Sequence, residues 1–380
     1  MEIAYLNYGA QSGVTRHVAA ALRARGHVVA DLCATGPLEP RDARTRRPRL
    51  TAPVAIHLAM AAARFGAEAL SHRWNTGYAF DQHTRRAGAL LAALDRPPEV
   101  VLQNGALFAP GERPPLPYVL LCDHTRLLAQ ESPAFGEARL EPTPDYGPGW
   151  FAREERVYQG AAAICTFSAN TAGSFTRHYG VARERVHVVG GGANVFPEAV
   201  ERHDDGETIL FVGVDFLRKG GAVLVEAFER LRRRRPGARL LVAGPRERLA
   251  LPAGAVQLGF VPFDELPALC AQASVFALPT LREPFGIAFL DAMACGLPCV
   301  GTRLEAVPEI VRDGLTGLLV PPADPGALAA ALERLLAEPE LARAMGFRGR
   351  ERVAAFYRWE LVAERLEAVL AAASHGQRAA

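Results

Sequence analysis

The chain has 380 residues, of which 49% are hydrophobic, enough for about two domains with independent cores. Its 43 Lys and Arg residues nearly cancel 41 Asp and Glu residues, giving a formal net charge of +2. That balance argues against a nucleic-acid binder, and no helix-turn-helix, finger or RNA-binding signature occurs.

Met1-Glu2-Ile3-Ala4-Tyr5-Leu6 already reads as a strand and carries an acid where a signal peptide would carry positive charge, so no export is expected. Apolar runs then predict strands at Val28 to Leu32, Val100 to Gln103, Tyr118 to Cys122, Ala163 to Phe167 and Val186 to Val189. Between them, Ala52 to Leu70 is the most apolar helical stretch, but His57, Arg64 and Glu68 interrupt it and it cannot span a bilayer. The polar run Glu198 to Glu207 reads as a linker. A second set of strands follows at Ile209 to Val212, Arg239 to Ala243, Val256 to Leu258, Val275 to Leu278, Cys299 to Gly301 and Gly317 to Val320. Helices over Pro325 to Ala337, Glu340 to Ala355 and Trp359 to Ala372 close the chain. Strand and helix alternate throughout, which predicts an α/β protein with two Rossmann-like parallel-sheet domains facing each other across a cleft. Cys33, Cys122, Cys165, Cys270, Cys295 and Cys299 lie in apolar contexts without metal spacing and read as reduced core residues of a cytosolic protein.

Polar groups gather where strands end, which is where α/β sheets keep their chemistry. After the first strand, Tyr8 to His17 forms a glycine-containing loop that opens a helix, and Gly13 can let backbone amides approach a phosphate. A loop of this kind also occurs in α/β proteins where it binds nothing. Asp123 and His124 end the strand Tyr118 to Cys122, and Ser168 follows the strand through Phe167. A histidine in such a place can equally be a strand cap.

The most informative stretch runs from Leu278 to Pro322. Glu283-Pro284-Phe285-Gly286 is a turn into a helix from Ile287 to Cys295, and Asp291 lies eight positions after Glu283, a little over two helical turns. Both acids can therefore face one crevice, beside the N–H groups of Phe285 and Gly286 at the helix start. Lys219 is the single lysine of the chain, among a large excess of arginines. It follows Arg218 in the loop after the strand Ile209 to Val212, where a compact ammonium can meet a phosphate oxygen as a point charge.

The run Glu-Pro-Phe-Gly-Ile-Ala-Phe-Leu-Asp, with the Val-Pro-Glu-Ile-Val-Arg-Asp-Gly-Leu-Thr-Gly segment behind it, resembles the donor-site block of glycosyltransferase family 4, and the similarity extends over the C-terminal half. That resemblance implies the GT-B fold, with residues 1–198 as an acceptor-binding domain, 207–355 as a donor-binding domain and a last helix, about 356–373, packed back on the first. It also implies a retaining transfer from a nucleoside diphosphate sugar to a hydroxyl, without cofactor; no Asp-x-Asp metal signature occurs in the sequence, so no divalent ion is expected. Lys219 would bind the diphosphate, Glu283 the donor sugar and His124 the sugar near its reacting carbon. Gly13, Arg218, Phe260, Val261, Phe285, Gly286, Ile287 and Asp291 would complete the donor site, with Asp123 and Ser168 on the acceptor side. Two positions depart from the pattern. Asp291 stands where the family has glutamate for the ribose hydroxyls, and Val214 stands where it has arginine, with Arg218 as the expected substitute.

Partners implied are the nucleotide sugar and a glycan, lipid-linked or small-molecule acceptor. The basic run Arg41, Arg44, Arg46, Arg47 and Arg49 suits either contact with the inner face of a membrane or an ordinary solvated loop. An epimerase or phosphorylase of the same architecture, and a nucleotide-sugar-binding protein without turnover, remain open alternatives.

Overall fold

The computed structural model describes residues 1–38, 50–114, 116–131, 145–199, 202–203 and 205–376. The arginine run Arg41 to Arg49 lies outside them.

Six parallel strands form the first sheet: β1 (Glu2–Asn7), β2 (Val28–Cys33), β3 (Val100–Asn104), β4 (Tyr118–Cys122), β5 (Ala163–Thr166) and β6 (Val186–Val188), in the order β2-β1-β3-β4-β5-β6. Every residue of β3, β4 and β5 is buried, as expected for strands covered on both faces by helices. β2 is an edge strand with alternating exposure, so Cys33 at its end is exposed, unlike the other five cysteines. The expectation that all six are core residues is thereby corrected.

The second sheet is also six parallel strands: β7 (Thr208–Val212), β8 (Arg239–Ala243), β9 (Ala255–Gly259), β10 (Val275–Leu278), β11 (Cys299–Thr302) and β12 (Gly317–Val320). Its order, β12-β11-β10-β7-β8-β9, reverses direction between β7 and β10. Such a switch point leaves a crevice at the carboxyl ends of the two strands, because their connections depart to opposite sides.

The closing helix Trp359–Gly376 returns to the first domain, packing on the helix Val14–Ala24 and on β3, β4 and β5. At its start the Trp359 ring stacks on His17 with centroids 5.6 Å apart. Gly192 makes this approach possible, since a Cβ there would fall 2.5 Å from the indole. The Phe167 ring, just past β5, meets the Phe285 ring of the second domain edge-on at 5.3 Å. Through Phe167, Phe285 and Trp359 the apolar cores of the two domains form one continuous cluster. No helix among the described residues is long and apolar enough to cross a membrane.

Candidate active site

Lys219 and Glu283 occupy the loops that leave β7 and β10, the two strands of the switch point. The loops are fastened together: the Leu281 N–H donates to the Arg218 carbonyl at 2.9 Å. Gly220, at φ +75°, lets them touch, because a Cβ would fall 1.8 Å from the Pro279 carbonyl oxygen. So positioned, the Lys219 ammonium forms an ion pair with Glu283 Oε2, both side chains being largely buried. Burial pulls the Lys219 pKa below its ordinary value, and the Glu283 charge opposes that pull.

From Glu283 the network crosses the cleft. Its backbone N–H donates to one carboxylate oxygen of Glu305, and the other oxygen lies 3.7 Å from His124 Nε2 of the first domain. His124 Nδ1 is 2.8 Å from the Thr125 carbonyl, which can only accept. Nδ1 therefore carries a proton, and Nε2 is buried facing Glu305. Glu305 is held at φ +48°, a left-handed conformation that costs an L-residue roughly 1 kcal/mol or more. A second unforeseen acid, Glu309, accepts the N–H groups of Ala169 and Asn170, at 2.8 Å each, at the start of the first-domain helix Ala169–Tyr179. The sequence reading quoted Glu309 within the Val-Pro-Glu-Ile run but gave it no role. The signal available was its place after Pro308 in the short helix Val307–Ile310 that follows β11.

The remaining expected residues fall into two groups. Phe285, Gly286 and Ile287 stand at the start of the helix Ile287–Ala294, beside Glu283. Gly286 has φ +115°, and neither its N–H nor that of Phe285 donates a hydrogen bond among the described residues. Phe260 is 56% exposed past the end of β9, with the Arg246 guanidinium 5.2 Å from its ring centroid, and Val261 beside it is half-buried. Asp123 is exposed at the end of β4, and its carbonyl accepts the Thr171 hydroxyl at 2.7 Å. Gly13 precedes the first helix at φ +91°, which glycine adopts freely, in a loop where Gln11 and Ser12 also have positive φ, so the backbone is strained at those two residues.

Three residues are placed otherwise than their types suggested. Asp291 is 2% exposed: its Oδ1 accepts the N–H of Asn194 at 2.6 Å and of Val195 at 3.1 Å. Burial drives its pKa up to about 7 against those hydrogen bonds. In this conformation it fastens the strap between the domains, and Gly13 lies against the same Asn194 side chain. Ser168 is fully buried and caps the helix Ala169–Tyr179 by accepting the Thr171 N–H at 3.1 Å, so it does not line the cleft. Arg218 turns to the Asp215 carboxylate, 3.1 Å away, and to the Arg282 carbonyl, 2.9 Å away.

Residues 194–352 match the family of glycosyl transferases group 1. The chain is 33% identical over 232 residues to an MMP alpha-(1->4)-mannosyltransferase of Mycolicibacterium hassiacum, covering 58% of this chain and 56% of that one. It is 34% identical over 198 residues to a GDP-mannose-dependent alpha-(1-6)-phosphatidylinositol monomannoside mannosyltransferase of Mycolicibacterium smegmatis, covering 47% and 52%. The matched part thus spans about half the length of these relatives. In three dimensions it superposes on a sucrose-phosphate synthase from Thermosynechococcus elongatus with a TM-score of 0.72 at 21% identity, covering 97% of this chain and 98% of that one. The chain has the GT-B glycosyltransferase fold, and its residues 194–352 are similar in sequence to the group 1 glycosyl transferases.

Proposed function

We propose that the protein transfers a sugar from a nucleoside diphosphate sugar to an acceptor hydroxyl, with retention of anomeric configuration. The observation that carries this reading is the Lys219–Glu283 pair at the switch point of the second sheet, facing His124 of the first. Residues 207–355 then bring the donor, and residues 1–198 with the closing helix bring the acceptor. A binding protein without turnover is the reading that the departures at Asp291 and Val214 favour, and turnover decides between the two.

The chemistry follows from the charges. When the bond from the anomeric carbon to the diphosphate breaks, its electron pair leaves on the phosphate oxygen. Lys219, the only ammonium side chain available, is already held in a mostly buried place where its charge acts through little solvent. Glu283 has one oxygen on Lys219 and the other free to accept from a sugar hydroxyl, which fixes the ring while the bond breaks. The helix-start amides of Phe285 and Gly286 offer donors to the diphosphate. With retention, the acceptor hydroxyl approaches from the face of the departing oxygen, which is positioned to take its proton. The acceptor oxygen forms the new bond to the anomeric carbon, and its proton passes to the departing diphosphate. Phe260 and Val261 would cover the base, and no cofactor or divalent ion is required by this scheme.

Release of nucleoside diphosphate, with and without acceptors, is the test. Lys219→Ala and Glu283→Gln should each lower it by on the order of a hundredfold or more. Turnover unchanged in both variants would remove the reading. The finer suggestion, a cytoplasmic protein touching an anionic membrane face through Arg41 to Arg49, is tested by liposome flotation with those charges removed. Equal flotation would end it.

A further inference from the structure

Arg126 is the first residue of the helix Arg126–Glu131, two positions after His124, on the first-domain wall of the cleft. It is half-buried, and its guanidinium lies 5.5 Å from the centroid of the Tyr146 ring. Among the described residues it makes no ion pair and no side-chain hydrogen bond. A ring face attracts a cation but accepts none of its five N–H donors. The carboxylate that bears on it, Glu154, accepts the hydroxyls of Tyr158 at 3.0 Å and Tyr179 at 2.6 Å and makes no ion pair with the guanidinium. The Tyr146 hydroxyl lies 3.3 Å from His72 Nδ1.

Arg16 and Arg246 also end on a ring, over Phe263 and Phe260, but both are exposed to solvent, whereas Arg126 is half-buried beside His124 with its donors unfilled, which asks for a ligand. Burial works against the charge of Arg126, and the nearby Glu154 carboxylate favours it, so the guanidinium stays charged. Tyr8 belongs to the loop after β1 and places the group at the carboxyl ends of the first sheet, where the acceptor must lie. Arg282, on the Glu283 loop of the second domain, also bears on Tyr146, so positive potential reaches this spot from both walls.

We propose that the Arg126 guanidinium, set against Tyr146 on the first-domain wall beside His124, receives an anionic group, phosphate or carboxylate, carried by the acceptor. The proposal rests on the transferase reading for calling that molecule an acceptor. The planar fork matches the paired oxygens of either group, and its weak hydration makes partial burial tolerable. Acceptors of this class bind with the anion on Arg126 and the reacting hydroxyl toward His124.

Glycerol 3-phosphate, glycerate and glycerol share a backbone and differ in the group under test. Each is titrated against the melting temperature of wild type, Arg126→Gln and Arg126→Lys, with UDP or GDP at saturation so that the donor phosphate site is filled. At least one of the two anions should stabilise wild type, with apparent affinity falling about tenfold or more in Arg126→Gln, less in Arg126→Lys, and with glycerol indifferent in all three. Which anion acts distinguishes phosphate from carboxylate. An unchanged nucleotide shift in the variants shows that they are folded. Anion shifts that are absent in wild type or equal in all three proteins would overturn the proposal and leave the donor reading standing. If neither nucleotide shifts wild type, the donor reading fails, and the same anion series without nucleotide still decides Arg126.

Discussion

Glu309 caps Asn170 across the cleft: one carboxylate oxygen accepts the Asn170 N–H and the other accepts that of Ala169, each at 2.8 Å. These are the first two orphan donors of the helix Ala169–Tyr179, and Ser168 satisfies the third. An acid of the second domain thus completes a helix start of the first. Arg352 and the Tyr357 hydroxyl steady the Glu309 carbonyl at 2.9 and 3.0 Å. Glu309→Ala should shift the balance toward an open cleft by about 2 kcal/mol, since charge-assisted hydrogen bonds are lost. X-ray scattering of the variant should show a larger radius of gyration, and Glu309→Gln an intermediate one. Identical scattering from all three would mean that the bond does not hold the domains.

Removing one partner of a buried ion pair leaves the other charge uncompensated. Lys219→Met should therefore destabilise the fold, by about 3 kcal/mol, because Glu283 is left buried among its neighbours. Adding Glu283→Gln should restore most of that stability without restoring turnover. Denaturant unfolding of the single and double variants measures the coupling. Additive losses would show that the pair is not coupled in the folded protein.

Asp291 makes stability depend on pH in a definite direction. Its folded pKa, raised by burial to about 7, exceeds the ordinary carboxylate value of roughly 4. The native state then binds the extra proton, so this contribution is present below roughly pH 4 and lost as the pH rises through about 7. Melting temperature should fall from about pH 5 to about pH 9 more steeply in wild type than in Asp291→Asn. Parallel profiles would show that Asp291 is ionised over the whole range.

Gly220 allows no side chain. A Cβ would overlap the Pro279 carbonyl oxygen, and the residue's φ of +75° is strained for any other type. Gly220→Ala should cost several kcal/mol, on the order of 3, and displace the Lys219 loop from the Glu283 loop. A stable Gly220→Ala protein with full turnover would contradict the packing described.

Much of this architecture was legible because buried parallel strands read as short apolar runs. All twelve expected strands occur, within a residue or so of their expected ends. Lys219 and Glu283 could each be picked out from sequence because each lies on a loop that leaves a strand, but their ion pair could not. Glu305 and Glu309 could not, since their partners are His124 and the amides of Ala169 and Asn170, and no local pattern reports how two domains meet. Asp291 illustrates the opposite limit. Helical periodicity puts it on the Glu283 side, but its burial depends on the path of residues 190–195, which periodicity does not determine.

The most direct test of the account is a thermal-shift screen of nucleoside diphosphates and their sugars against wild type and Lys219→Ala, without added metal. Binding to the folded state raises the melting temperature, so a selective shift names the donor base. The account predicts a shift with one diphosphate in wild type that is lost or strongly reduced in Lys219→Ala. No shift with any of them, or an equal shift in both proteins, would contradict it.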